Sequence, residues 1–128
     1  MKPGFLETLC STLIAGTLTF SCVTSKYQKS TLNQVQIQSI ISCLQEKKVV
    51  MYGAAWCSNC EQQKEYFGES FSSVPYVECY EDFDGKKRGK KNETCKEISA
   101  YPAWVFFDGE IVYGVKTPEE LADLAGCG

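Results

Sequence analysis

The pattern of apolar and polar positions predicts a helix, a strand and a second helix in the first half of the chain. Over residues 31–46 apolar side chains recur near helical spacing, at Leu32, Val35, Ile40, Ile41 and Leu44, which predicts an amphipathic helix. The short apolar run at 49–52 is typical of a strand in the centre of a sheet. Residues 58–67 are rich in helix-forming side chains, and Gly68 is expected to end that helix.

The second half of the chain continues this alternation of strands and helices. Its predicted elements are a strand at 74–80, a charged loop at 81–92, a helix at 92–99, and two further strands at 103–107 and 110–115. Asp108-Gly109 predicts a tight turn between the last two strands. Thr117-Pro118 begins the final helix with a capping side chain and a proline at the first helical position. From residue 47 the predicted order is β-α-β-α-β-β-α, an α/β fold.

The N-terminal residues predict an export signal. Lys2 precedes an uncharged stretch, 8–25, in which apolar residues alternate with serine and threonine. A cleaved signal peptide is the first interpretation, and an uncleaved membrane anchor or a buried helix of the domain are the alternatives. The segment 18–22 is similar to a bacterial lipoprotein signal, in which Cys22 would carry the lipid.

These features divide the chain into three regions. They are a signal peptide or membrane anchor at 1–25, a linker with the N-terminal helix at 26–46, and a folded domain at 47–128. A domain of this size can bury a hydrophobic core without needing staples. Export would place it in the periplasm or an equivalent lumen, where disulfides persist.

Composition narrows the chemistry that this chain can perform. It has no histidine, which excludes Ser-His-Asp and Cys-His hydrolases and every metal site that uses histidine. The net charge of −3 argues against nucleic acid as the main partner. Eight cysteines in 128 residues require a redox or a metal explanation.

One basic run contrasts with this acidic balance. It spans residues 86–91 and consists of lysines and one arginine, with Gly85 before it and Gly89 inside it. Charges spaced by glycine are typical of a solvated loop. A docking surface for an acidic partner is the alternative interpretation.

Cys57 and Cys60 form a CxxC pair at the junction of a predicted strand and a predicted helix. The first cysteine falls at the helix N-terminus, where free N–H groups favour a thiolate. Two intervening residues let the helix turn bring Cys60 back within bonding range, so that it can resolve a mixed disulfide. We therefore predict that Cys57 is the exposed attacking residue and Cys60 the more buried partner.

Three other interpretations of this pair fit less well. A purely structural disulfide would need neither the strand-to-helix junction nor Trp56. Zinc normally requires two paired clusters or added histidines, whereas the other cysteines here are single and far apart. Haem attachment requires a histidine directly after the pair, where Glu61 stands. The prediction is a redox pair with no metal and no organic cofactor.

The pair, the order of elements and Tyr101-Pro102 together resemble the thioredoxin superfamily. The resemblance implies a thioredoxin fold, with a central mixed sheet of about four strands flanked by helices, and here an N-terminal extension. It also implies that Pro102 follows a cis peptide bond and faces the pair, since cis bonds are essentially confined to proline. Trp56, Tyr101 and Pro102 are then the residues expected at the substrate. An ordinary trans proline in a turn is the alternative.

A closer resemblance is to the thioredoxin-like domains fused to vitamin K epoxide reductase homologues of bacteria and plants. It covers about residues 47–127 and rests on Met51-Tyr52-Gly53-Ala54, Trp56-Cys57, Cys60, Gln63-Lys64, Phe67-Gly68, Val74-Pro75-Tyr76-Val77-Glu78-Cys79, Cys95 and Tyr101-Pro102-Ala103-Trp104. In that subfamily the cysteines that match Cys79 and Cys95 form a second disulfide, so the resemblance implies that structural disulfide here. It also implies that electrons pass to a membrane quinone reductase.

The chain departs from these relatives at two points. It contains no bundle of spanning segments, so we expect a quinone reductase of this type to be a separate chain. Met51 stands six residues before Cys57, where cytoplasmic thioredoxins carry a buried aspartate. The loss of that acid favours an oxidising role over a reducing one.

Two further cysteines are left unassigned by the resemblance. Cys43 lies on the apolar side of the first helix, and Cys127 is next to the C-terminus. They could pair with each other and bracket the domain, or each could remain buried or free.

The functional hypothesis is a thiol–disulfide oxidoreductase that acts on exported proteins. The preferred direction is oxidation, with electrons passed on to a membrane quinone reductase of the vitamin K epoxide reductase type. One alternative is a periplasmic reductant of selected thiols, because related folds have reduction potentials from about −270 to −120 mV. The other is a non-catalytic thioredoxin-fold module that only binds proteins.

Overall fold

A computed structural model describes residues 31–128. The predicted signal or anchor at 1–25 lies outside these residues, and so does the predicted lipidation site at Cys22. In the described part of the chain, no helix has the length and apolar character needed to cross a membrane.

The first helix, α1 (Gln34–Glu46), begins at a reciprocal capping arrangement. The Asn33 side chain accepts a hydrogen bond from the backbone N–H of Gln36, and the Gln36 side chain accepts one from the N–H of Asn33. This capping box fixes the start of the helix three residues later than the apolar pattern predicts. The inner face of α1 buries Ile37, Ile41 and Leu44 in the main hydrophobic core.

Six strands follow in the chain: β1 (Val50–Gly53), β2 (Tyr76–Glu78), β3 (Tyr80–Glu81), β4 (Lys90–Lys91), β5 (Ala103–Val105) and β6 (Ile111–Tyr113). Four of them form one mixed sheet in the order β2-β1-β5-β6. β1 runs parallel to β2 and antiparallel to β5, and β5 runs antiparallel to β6. The central position of β1 places Met51 between Tyr76 and Trp104 on the neighbouring strands.

Two further helices flank this sheet. α2 (Ser58–Phe67) follows β1 directly, ends at Gly68 as predicted and continues into a 3₁₀ turn over Gly68–Ser73. α3 (Pro118–Ala125) has the predicted start, with Thr117 and Glu120 forming a second capping box. α3 packs against α1, so the N-terminal helix shares the core of the residues that follow it. The predicted class is confirmed: the chain is a mixed α/β structure with a four-stranded mixed sheet, consistent with a thioredoxin-like fold.

The strand predicted at 74–80 is shorter than expected, and the loop predicted at 81–92 contains a hairpin. Pairing with β1 ends when the N–H of Cys79 donates to the carbonyl of Gly53. The chain then turns away, and β3 pairs with β4 as a separate two-stranded ribbon. At Gly89 the backbone has a φ of +75° and passes so close to the Glu81 carbonyl that a Cβ atom would collide with it.

The helix predicted over 92–99 is wrong, because only a short 3₁₀ helix forms at Glu93–Cys95. Asn92 does cap this turn, since its side chain accepts from the N–H of Thr94. The following backbone bonds close over three residues, including the one from the Ile98 N–H to the Cys95 carbonyl. This tighter winding aligns residues three apart, and it buries Cys95 and Ile98 together in a second, smaller core beside the sheet.

Candidate active site

Cys57 occupies the N-cap of α2, at the point where β1 gives way to the helix. Its Sγ accepts a hydrogen bond from the backbone N–H of Cys60 at 3.2 Å. The free N–H groups and the positive dipole end of a helix N-terminus favour negative charge at this position. The local sequence thus places the sulfur where a thiolate nucleophile is best supported.

Both cysteines of the pair are free thiols, and they differ in access to solvent. Cys57 is 7% exposed and Cys60 is fully buried. The order of access is the predicted one, but Cys57 is not the freely exposed residue that the sequence led us to expect. Trp56 and Tyr101 pack against the hydrophobic cluster that contains Cys57.

Burial also separates the two thiols chemically. Desolvation raises the pKa of Cys60 to about 12, and the hydrogen bond with Cys57 adds to the effect. Cys60 therefore remains a protonated thiol over the physiological range. This asymmetry suits one attacking sulfur and one resolving sulfur.

The segment before β5 closes over the pair from the opposite side. The Cys57 thiol donates to the carbonyl oxygen of Tyr101 at 3.6 Å. The Tyr101–Pro102 peptide bond is cis, and Pro102 is fully buried. The Pro102 carbonyl accepts from the N–H of Gly114, which holds the segment against the end of β6. The structure thus brings together the two ends of the site that the sequence singled out.

Trp56 packs beside the pair as one member of a cluster of three aromatic rings. The ring centroids of Trp56, Tyr80 and Tyr101 lie 5.2 to 5.9 Å apart, and each pair meets edge to face. Tyr80 was not singled out from the sequence. Its role follows from the chain reversal at Cys79, which an apolar pattern does not reveal.

Glu78, which hydrogen-bonds to the backbone next to the CxxC turn, was also not singled out from the sequence as a site residue. The Glu78 carboxylate accepts from the backbone N–H groups of Ala55 and Tyr80 at 3.0 and 3.2 Å. It also accepts from the Tyr76 hydroxyl at 2.7 Å. Burial, and then this bond to Glu78, raise the pKa of Tyr76 well above its usual range. Glu78 therefore fixes the backbone just before Trp56. Met51, six residues before Cys57, is fully buried and apolar.

The remaining described cysteines form two disulfides. Cys79 and Cys95 are both fully buried, with 5.6 Å between their Cα atoms. Cys43 and Cys127 are joined with a Cα separation of 6.1 Å, which ties α1 to the residues after α3. Among residues 31–128, only Cys57 and Cys60 are left with free sulfhydryl groups.

Part of the basic run lies at the mouth of the site. The Arg88 guanidinium stacks over the Trp56 ring, 4.2 Å from its centroid. Arg88 and Lys91 both line a groove beside Cys57, whereas the other lysines of the run do not line it. The sequence indicated a solvated loop here, and the five residues 86–90 are indeed exposed.

Comparison with known proteins points to the same chemistry. No family model matches the chain. It is similar to the protein named thiol-disulfide oxidoreductase LTO1 of Arabidopsis thaliana, with 41% identity over 80 residues that cover 59% of this chain. The match covers 20% of that protein, so the chain spans about a fifth of the length of this relative. The similarity supports an oxidoreductase role and a relationship to thiol–disulfide oxidoreductases.

Proposed function

We propose that this chain is a thiol–disulfide oxidoreductase that exchanges disulfides with exported proteins through Cys57 and Cys60. The observation that carries the proposal is the position of Cys57 Sγ. It lies at the N-cap of α2, 3.2 Å from the Cys60 nitrogen and 3.6 Å from the Tyr101 carbonyl oxygen. The relative that shares 41% identity is itself named a thiol–disulfide oxidoreductase.

In the oxidising direction the Cys57–Cys60 disulfide accepts two electrons. A substrate thiolate attacks Cys57 Sγ, the more accessible sulfur, and forms a mixed disulfide. Cys60 Sγ leaves with the bonding electron pair and takes up a proton, because burial favours its neutral thiol. Cys60 is the leaving group because Cys57 is the sulfur that a substrate can reach.

A second substrate thiolate then attacks the substrate sulfur of the mixed disulfide, and Cys57 Sγ leaves as a thiolate. The substrate has lost two electrons and two protons and gained a disulfide bond. The Cys57 thiolate takes up the second proton, which leaves the pair as the dithiol, the form in the described structure. The N–H of Cys60 and the start of α2 favour the departing Cys57 thiolate.

Reoxidation of the pair requires an oxidant from outside the domain. We propose a membrane quinone reductase of the vitamin K epoxide reductase type, which would take the two electrons by a further disulfide exchange. The buried Met51 fits this direction, since no acid stands at its position to deprotonate a resolving cysteine for reduction. The disulfides Cys43–Cys127 and Cys79–Cys95 support a location in an oxidising compartment.

Trapping of mixed disulfides tests the exchange chemistry. Reduced full-length Cys60→Ala protein is mixed with scrambled ribonuclease A, and the products are separated without reductant. We expect a covalent complex with Cys60→Ala and none with Cys57→Ser, which is the matched change at the other cysteine of the pair. A Cys57→Ser variant that retains full activity in insulin reduction would overturn the proposal.

The direction of electron flow has a separate test. Equilibration of the pair with glutathione buffers gives its reduction potential, and oxidation requires a value near the upper end of the range from about −270 to −120 mV. Proteoliposomes that contain a vitamin K epoxide reductase homologue and a quinone should reoxidise the dithiol form. A potential near −270 mV would instead favour a reductant.

A further inference from the structure

A groove of about 490 Å³ lies beside Cys57, and three parts of the chain line it. They are the CxxC turn at 56–59, the ribbon of β3 and β4, and the residues at 98–101 that lead to Pro102. Cys57 itself lines this groove, so a protein segment that lies in it can present a sulfur to Cys57. The residues that line the groove would therefore contact the substrate residues next to the substrate cysteine.

The charge in this groove is opposite to that of the whole chain. Among the described residues that line it, Arg88 and Lys91 are the charged ones, and both are positive, although the chain carries a net charge of −3. The ribbon also carries the acids Glu81, Asp82 and Asp84, but none of these lines the groove. A small positive field thus lies where the substrate must dock.

Arg88 is held in place without an acidic partner of its own. Its guanidinium lies over the Trp56 ring, 4.2 Å from the ring centroid, where cation–π attraction favours this position. Within the described part of the chain, it forms no ion pair with a carboxylate. Lys91 is half-buried, and its Nζ donates to the Ile98 carbonyl at 2.7 Å. Both cations are therefore positioned before any substrate arrives.

We propose that this groove selects substrate segments that carry an aspartate or glutamate beside the exchanging cysteine, with Arg88 binding the carboxylate and Lys91 adding to the positive field. The proposal rests on the proposed function, because it concerns which thiols Cys57 exchanges with. The planar guanidinium of Arg88 can donate two parallel hydrogen bonds to one carboxylate. The exposed cations of residues 86 and 87 lie outside the groove, so they are not expected to contribute.

Single-turnover exchange with designed peptides tests the preference. The oxidised full chain is mixed with dithiol peptides whose residues beside the cysteines are all glutamate, all glutamine or all lysine. We expect the glutamate peptide to react about fivefold faster than the glutamine peptide, and the lysine peptide more slowly still. The differences should shrink as sodium chloride is raised, because salt screens exposed charges.

Charge variants assign the preference to Arg88. Arg88→Glu should abolish or reverse the order of the three peptides. Arg88→Lys keeps the positive charge but loses the two-point contact, so it should keep the order and reduce the differences. Lys87→Glu is the matched control, since it makes the same charge change on the same ribbon outside the groove and should leave the order intact. Each peptide rate is divided by the rate of the same protein with dithiothreitol, so that any effect of the charge change on the attack of a thiolate at Cys57 cancels.

The outcomes separate this proposal from the proposed function. Equal rates for the three peptides, or equal effects of Arg88→Glu and Lys87→Glu, would overturn the acidic preference and leave the exchange chemistry in place. No reaction with any peptide or with dithiothreitol would overturn the exchange chemistry itself. If Arg88→Glu slowed the reactions with dithiothreitol and with all three peptides by the same factor, Arg88 would act on every attacking thiolate alike, and selection would be contradicted.

Discussion

The Cys57 thiol donates to the carbonyl oxygen of Tyr101 at 3.6 Å, across 44 positions of the sequence. This contact joins the start of α2 to the segment that enters β5. In this arrangement 7% of Cys57 is exposed to solvent, whereas Cys60 is fully buried. The difference leads directly to a prediction about how the two thiols react.

In the reduced protein, iodoacetamide at pH 8 should modify Cys57 and leave Cys60 unmodified. The thiolate is the reactive form, and a pKa of about 12 leaves only about one Cys60 in ten thousand as thiolate at this pH. Peptide mapping by mass spectrometry identifies the modified residue. If Cys60 in the folded protein were modified as fast as Cys57, the predicted difference in reactivity between the two thiols would be contradicted.

The pH dependence of the same reaction gives the control. Because the pKa of Cys60 is raised, its thiolate fraction in the folded protein should keep climbing about tenfold per pH unit up to pH 10 or so. In 6 M urea Cys60 should react readily, with a rate that levels off above an ordinary thiol pKa. A native profile that levels off near pH 9 would show that the environment does not perturb Cys60.

Loss of the Cys43–Cys127 disulfide should destabilise the protein more than loss of Cys79–Cys95. The bridges span 84 and 16 residues of chain, and the chain-entropy model gives them about 4.5 and about 3 kcal/mol. Urea unfolding of the two double alanine variants measures both values. Cys127→Ala alone should cost nearly as much as Cys43→Ala/Cys127→Ala, and a loss below about 1 kcal/mol would contradict the model.

The elements that could be predicted from the sequence are those with a local cause. Thr117 and Pro118 specify the start of α3 through side-chain capping and a fixed φ, whatever the rest of the chain does. The CxxC turn is equally local, since the apolar run of β1 leads straight into it. In contrast, the helix expected at 92–99 does not form, because tertiary packing buries Ile98 beside Cys95, and the local sequence does not reveal this packing.

The parts of the site that could not be predicted are made by residues distant in sequence. Glu78 appears in the sequence only as part of a family resemblance, and its contacts with Ala55 exist because β2 lies alongside β1. Arg88 looks like one cation among several in a glycine-broken run. Its position over Trp56 depends on the pairing of β3 with β4, which has no apolar alternation to reveal it.

Gly53, the last residue of β1, should not tolerate a side chain. A Cβ atom there would lie 2.8 Å from Cε2 of Tyr76 and 2.9 Å from its hydroxyl oxygen. Gly53→Ala should therefore cost about 1 to 3 kcal/mol of stability, the usual cost of overpacking a filled site. Urea unfolding measures the loss.

A second substitution isolates the cause of that loss. Tyr76→Leu removes the ring that meets the new Cβ, so Gly53→Ala should cost much less in a Tyr76→Leu background. The four proteins form a double-mutant cycle, and we expect a coupling above about 1 kcal/mol. Strict additivity would mean that the contact between Gly53 and Tyr76 does not limit this position.

Gln63 is a fully buried polar residue on α2, and its replacement should be among the more destabilising changes in the chain. Its Oε1 accepts from Trp104 Nε1 at 3.2 Å and from the Lys116 N–H at 2.8 Å. Its Nε2 donates to the Lys116 carbonyl at 2.7 Å. The side chain thereby joins α2 to β5 and to the residues before α3.

Gln63→Leu keeps the approximate volume of the side chain and leaves these three partner groups without it. Each unsatisfied buried group costs about 1 to 3 kcal/mol, and relaxation of the Lys116 backbone recovers part of this, so we expect a net loss of about 2 to 4 kcal/mol. Gln62→Leu is the matched control, because the neighbouring side chain is half-buried and makes no such bonds with the residues that the structure describes. If urea unfolding gave equal stabilities for the two variants, the buried amide would not be what fixes α2 against the sheet.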